Sequence, residues 1–184
     1  EIESTIPSLT PVAWTSMITG LNPGRHGIHG FVRYLKGSYD LKILSSRDRH
    51  GETLWHFLNQ AGKKVGLLNY PALYPPEEID GFMVGGMLTP STNTEFTYPV
   101  TLREELLSKV PGYDIDINAV KHGGDKNALL KKIYELTDKR LAATKYLMRN
   151  KEWDFFFTVI TETDRLGHFF WGDWGKAASK FKTA

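Results

Sequence analysis

Thr10 stands directly before Pro11 in the stretch Ile6-Pro-Ser-Leu-Thr-Pro-Val-Ala-Trp-Thr-Ser-Met-Ile-Thr-Gly20. Proline suits the first position of a helix, where its missing N–H removes no bond. It also pushes the preceding residue out of the helical region, which is the backbone an N-cap needs. Thr10 therefore reads as the cap of a helix over residues 11–18, its hydroxyl at the positive end of the dipole. Free N–H groups there bind phosphate and favour an alkoxide. The same geometry also serves a plain cap worth about 1 kcal/mol. A threonine hydroxyl titrates far above neutral, so it becomes a nucleophile only beside a metal or a base. Ser8, Thr15 and Ser16 are neighbouring hydroxyls, but Thr10 is the one at the predicted cap.

A second chemical element lies far down the chain in Thr163-Asp-Arg-Leu-Gly-His168, directly after an apolar run. On a helix, a spacing of four places Asp164 and His168 on one face. Carboxylate and imidazole suit zinc, and also manganese or iron. The pair admits a structural reading as well, with Asp164 as a helix N-cap and His168 packed against Phe169 or Trp171. His26 and His29 flank Gly27 and Ile28. They are read as parts of a glycine-rich turn ahead of a ligand role. Arg25, Arg33 and Arg165 are candidates for steering an anion, against a default of solvated surface charge.

These groups need elements to position them. Gly20 and Asn22-Pro-Gly24 end the first helix, and residues 25–31 read as a loop. Leu54, Phe57, Leu58 and Ala61 recur at helical spacing up to Gly62. Residues 64–69 read as a buried strand stopped by Pro71. The segment 72–98 is dense in Pro, Gly, Ser and Thr. It reads as an insertion or loop region shaping specificity, with one short strand at 82–84. Helices are predicted over 102–110 and 125–150, the latter with an apolar face of Leu129, Leu130, Ile133, Leu136, Leu141, Ala142 and Leu147. Residues 154–160 are apolar on both faces, as in a central parallel strand. Helices alternating with such strands predict an α/β fold, a mostly parallel sheet with helices on both faces. In such sheets ligands sit beyond the carboxyl ends of the strands, where Asp164 and His168 fall.

Composition narrows the function classes. With 184 residues the chain supports one domain with a substantial core. A net charge of +2 is too small to argue for nucleic acid, and the aromatics lie in core-like runs away from clustered Lys and Arg. The absence of cysteine excludes disulfides and thiolate metal sites and fits a reducing cytoplasm, the expected compartment. Apolar runs such as Phe155–Phe157 are far too short for a membrane span, and the N-terminus does not resemble a signal segment. The chain opens at Glu1 and is already mid-domain at Ser8. Residues 1–184 therefore read as a single partial domain. Nothing in the sequence sets an oligomeric state.

The block from Pro7 to Ile28, with its Thr-Pro, Thr-Gly, Asn-Pro-Gly and His-Gly-Ile in register, resembles the nucleophile segment of type I phosphodiesterases and nucleotide pyrophosphatases. These belong to the alkaline phosphatase superfamily. Glu162-Thr-Asp-Arg-Leu-Gly-His168 resembles that family's Asp-x-x-x-His metal segment. The resemblance implies an alkaline phosphatase-like fold and hydrolysis of a phosphodiester or phosphomonoester. Thr10 would be the covalent nucleophile and a ligand of one metal, and Asp164 and His168 ligands of another. Two divalent ions are implied, zinc or else manganese, with a small phosphorylated substrate. The family's upstream metal-binding Asp, its Asp-His pair and its further His have no counterpart here. A phospho-group transferase of the same superfamily and a non-catalytic anion- or protein-binding α/β domain are the alternatives. A sulfatase is disfavoured, because the matched position is Thr and there is no Cys.

Overall fold

The computed structural model describes residues 3–117, 124–176 and 180. Among them the main sheet has four strands: β3 (Val65–Tyr70), β4 (Gly81–Gly85), β5 (Thr97–Tyr98) and β6 (Phe155–Thr158), in the order β5-β4-β3-β6. β3 runs parallel to both β4 and β6, whereas β4 and β5 are antiparallel, so the sheet is mixed. A separate antiparallel ribbon joins β1 (Val32–Tyr34) to β2 (Leu41–Ile43).

Both faces of the sheet are covered, and alternation along the strands explains how. Val65, Leu67 and Met83 point into one core with Trp55 and Ile18, where Phe155 and Phe157 also pack. This face carries α1 (Thr10–Thr19) and α3 (Leu54–Gln60). Leu68, Phe82 and Val84 point the other way, meeting Leu102, Leu106, Ala143 and Leu147 with Phe156 beside them. That face carries α4 (Leu102–Lys109) and α5 (Lys126–Asn150). A period of two feeding two cores is what a doubly covered sheet requires.

Several expectations shift in instructive ways. The segment 72–98 supplies β4, an interior strand of the sheet, as well as β5; the short strand expected at 82–84 is its middle. β6 is parallel as expected, but among the described residues it lies at the edge of the sheet. Its run of phenylalanines records that both faces are covered, which hydropathy reads, and says nothing of edges. Residues 25–31 are not all loop. Pro23–His26 form a short helix, α2, capped by the Asn22 side chain.

The buried stripe of α5 is Leu129, Ile133, Leu136, Arg140, Ala143 and Leu147. Arg140 and Ala143 replace the expected Leu141 and Ala142, because helical periodicity carries the stripe through an arginine that hydropathy scores as surface. Asp125 starts this helix by accepting from the N–H groups of Asn127 (2.9 Å) and Ala128 (3.1 Å).

Candidate functional site

α1 begins one residue earlier than the proline pattern suggests. Leu9 is the N-cap, with extended backbone, and its carbonyl accepts the Ala13 N–H at 2.9 Å. Thr10 is thus the first helical residue and Pro11 the second, where its missing N–H is still one of the helix's unbonded four. Gly20 ends the helix in the left-handed conformation (φ 66°), as its position after the last apolar residue implied. α1 is tied to the sheet by Tyr70, whose hydroxyl donates to the Trp14 carbonyl at 2.9 Å. The two rings meet edge to face at 4.8 Å. Burial pushes the Tyr70 phenol well above its ordinary range and keeps it a neutral donor.

Thr15 and Ser16 are committed elsewhere. Thr15 is buried within α1. The Ser16 hydroxyl meets His26 Nε2 at 2.9 Å, and His26 Nδ1 accepts the Ile28 N–H at 3.1 Å. Because Nδ1 is an acceptor, Nε2 carries the proton and donates to Ser16. His26 therefore cannot take a proton from that serine. Burial first, and the nearby His29 second, lower its pKa and favour this neutral form. Both ring nitrogens are used, so His26 is a structural residue of the turn, as the sequence reading preferred.

α6 (Glu162–Phe170) follows β6 through Val159–Thr161. Its N-cap is Thr161, not Asp164, and His168 is not packed away. The Asp164 and His168 side chains are 53% and 67% exposed, and Nε2 lies 3.5 Å from Oδ1. Both project from one helix face, open to an incoming ligand. Arg165 is not a free steering charge. It forms a two-pronged pair with Asp116, with Nε at 3.0 Å from Oδ1, and it approaches Asp164 Oδ2 at 3.8 Å. Hydrogen bonding to Asp116 holds it firmly cationic. Arg33 likewise pairs with Asp48, while Arg25 is exposed.

Thr10 and Asp164 line one cavity of about 390 Å³, with Trp14, Pro71, Met87 and residues 157–161 and 163. The structure thus brings residues from the start of α1 and the first turn of α6 to one cavity. His168 is not among the lining residues and sits one turn further along α6. Asp164 and His168 offer a cation two ligands of suitable chemistry. No group of three or more His, Cys, Asp or Glu that could hold a metal occurs among the described residues. The pair therefore fits part of one metal's ligand set, not a complete two-metal centre.

Three residues that the sequence reading passed over build this site. Asn69 is fully buried at the carboxyl end of β3 and donates to the Val159 carbonyl (2.9 Å) and to Thr161 Oγ1 (3.1 Å). Arg140, also fully buried, donates to the Tyr113 hydroxyl (2.6 Å), the Ile115 carbonyl (2.7 Å) and Glu162 Oε1 (3.3 Å). Glu162 opens α6 and is 2% exposed. The only sequence signal for Asn69 was a polar residue at the end of an apolar parallel strand, where such sheets bind ligands.

The family model for type I phosphodiesterase / nucleotide pyrophosphatase matches residues 1–181. The chain belongs to that family. Phosphoester hydrolysis, generally metal-dependent and on small phosphorylated substrates, is the activity the family carries. No curated protein and no solved structure matches the chain. No helix among the described residues is long and apolar enough to cross a membrane.

Proposed function

We propose that this chain is the nucleophile-bearing part of a metal-dependent phosphodiesterase or phosphohydrolase with an alkaline phosphatase-like architecture, and that Thr10 attacks phosphorus. The observation that carries this reading is the shared cavity of Thr10 and Asp164, two residues 154 positions apart in sequence (164 less 10). Its volume of about 390 Å³ suits a small phosphorylated substrate.

The free N–H groups at the start of α1 would bind a phosphoryl oxygen at Thr10, and the helix dipole would favour negative charge on it and on the attacking oxygen. Attack forms an Oγ–P bond on Thr10 and breaks the bond from phosphorus to the leaving oxygen, which departs with a proton. Water then attacks the same phosphorus, the Oγ–P bond breaks, and Thr10 regains its hydroxyl proton. Asp164 and His168 would hold a divalent cation, zinc or manganese, with Thr10 contributing to a second. Such ions supply Lewis acidity to the phosphoryl and leaving oxygens.

The test is Thr10→Ala, assayed on bis(p-nitrophenyl) phosphate with zinc or manganese. Turnover should fall by roughly 10³-fold or more, as for loss of other covalent nucleophiles, while Thr10→Ser keeps measurable activity. An alanine variant that turns over at the parent rate would remove the covalent role.

A further inference from the structure

Asp164 stands in the first turn of a nine-residue helix that is reached through a three-residue link, Val159–Thr161. Something must fix that link if the carboxylate is to hold a constant place opposite Thr10. Around the link, Val159 N–H donates to the Leu68 carbonyl at 3.1 Å, Thr163 Oγ1 donates to the Ile160 carbonyl at 2.9 Å and Arg165 N–H donates to the Thr161 carbonyl at 3.1 Å, while Thr161 gives α6 no side-chain cap. A side-chain clamp from outside this segment comes from the neighbouring strand. Asn69 sends both protons of its amide into the link, one to the Val159 carbonyl and one to the Thr161 hydroxyl. Both acceptors belong to residues that line the cavity.

Asn69 holds this position at a cost. Its φ of 62° lies in the left-handed region, where asparagine is tolerated far better than a branched or bulky residue. The β3–β4 register shifts at this point, between Leu68 and Tyr70. The backbone of Gly86 presses so close that a Cβ there would fall 2.3 Å from the Asn69 carbonyl oxygen. Asn69 Oδ1 is buried with no hydrogen-bond partner. A strained backbone and an unsatisfied carbonyl are retained at the residue that clamps the link from the neighbouring strand, which is the pattern of strain kept for a site. The next residue, Tyr70, anchors α1 through Trp14. Consecutive residues of one strand end therefore hold the two sides of the cavity.

We propose that Asn69 is a positioning residue: its amide fixes the Val159–Thr161 link and thereby sets Asp164 and His168 for metal capture. This rests on the reading of Asp164 and His168 as metal ligands. Groups behind first ligands change metal affinity about 10–100-fold when removed.

The experiment measures zinc affinity of the whole chain by competition with a chromophoric chelator, independent of turnover. Asn69→Gly keeps the left-handed backbone available and removes the amide, and Thr161→Val removes one of its two acceptors with little change of shape. Zinc affinity should fall about 10–100-fold in Asn69→Gly, and by a smaller factor in Thr161→Val, with each folded fraction checked by circular dichroism. A purely structural asparagine would lower stability and leave the affinity of the folded protein unchanged, which overturns the proposal. If Asn69→Gly does not fold, an unchanged affinity in Thr161→Val overturns it equally. If the parent chain binds no zinc at all, the ligand reading fails and this proposal with it. Parent binding with unaltered variants refutes only the role of Asn69.

Discussion

Arg140→Met is a demanding test of how α6 is held. The guanidinium is fully buried and makes three hydrogen bonds, to Tyr113, Ile115 and Glu162, with its carbon lying 5.2 Å from the Tyr113 ring centre. Methionine has similar length but no donors, so the Glu162 carboxylate would stay 2% exposed without its cation. Breaking a buried pair in this way costs about 3–5 kcal/mol, a large share of the roughly 5–15 kcal/mol that stabilises a typical domain. Removing both charges is a different perturbation. Arg140→Met with Glu162→Leu leaves no uncompensated charge and should recover most of the loss, since apolar replacement of a buried pair is often neutral or stabilising. Urea unfolding followed by tryptophan fluorescence on the parent, both single variants and the double variant gives the coupling energy. The pair already leaves Arg140 Nε and Glu162 Oε2 without partners, so it is imperfectly compensated as it stands. A loss under about 1 kcal/mol in Arg140→Met, the scale of a solvated surface pair, would refute the reasoning.

Two further outcomes follow from the geometry. The depressed pKa of His26 means the fold favours the neutral ring, so its contribution is present above the ordinary value of 6.5 and is lost as pH falls through it. Thermal melts from pH 8 to 5 should show the parent's advantage over His26→Gln narrowing on acidification, and a constant or widening gap would contradict the assignment. Gly86→Ala places a Cβ 2.3 Å from the Asn69 oxygen and 2.7 Å from the Tyr70 oxygen. Both are backbone atoms that cannot swing aside, so about 3 kcal/mol of destabilisation is expected in denaturant titration, the upper end for overpacking; an unchanged midpoint would show that the strand end can move.

The sequence made some of this legible and hid the rest for identifiable reasons. β3, α3, α4 and α5 announce themselves through apolar period and end signals, whereas α6 entered only as a condition on the Asp164–His168 spacing, and Thr10, Asp164 and His168 were singled out by residue type and spacing. The shared cavity was not legible, because no local pattern encodes contact between residues so far apart. β5 is only two residues long, below any periodic signal. Arg140 was missed because a buried arginine looks like a surface one until its partners Tyr113 and Glu162 are found beside it. Asn69 was missed because the apolar run of residues 64–69 marks a strand without showing that its last, polar residue is buried against the Val159–Thr161 segment. His26 shows the reverse: read as part of a turn, it is held there by Ser16 and Ile28.

The sheet separates the supports of the two cavity walls. Thr10 rides on a helix packed against one face, whereas Asp164 is anchored through Glu162 to a helix packed against the other. The gap between hydroxyl and carboxylate consequently depends on both packing layers as well as on the strand end at Asn69 and Tyr70 that ties its two sides together. Mild heating or a core substitution on either side should detune that gap while the global fold persists. Loss of turnover would then precede loss of near-ultraviolet ellipticity, and a fault on one face should be correctable by a compensating change of side-chain volume on the opposite one.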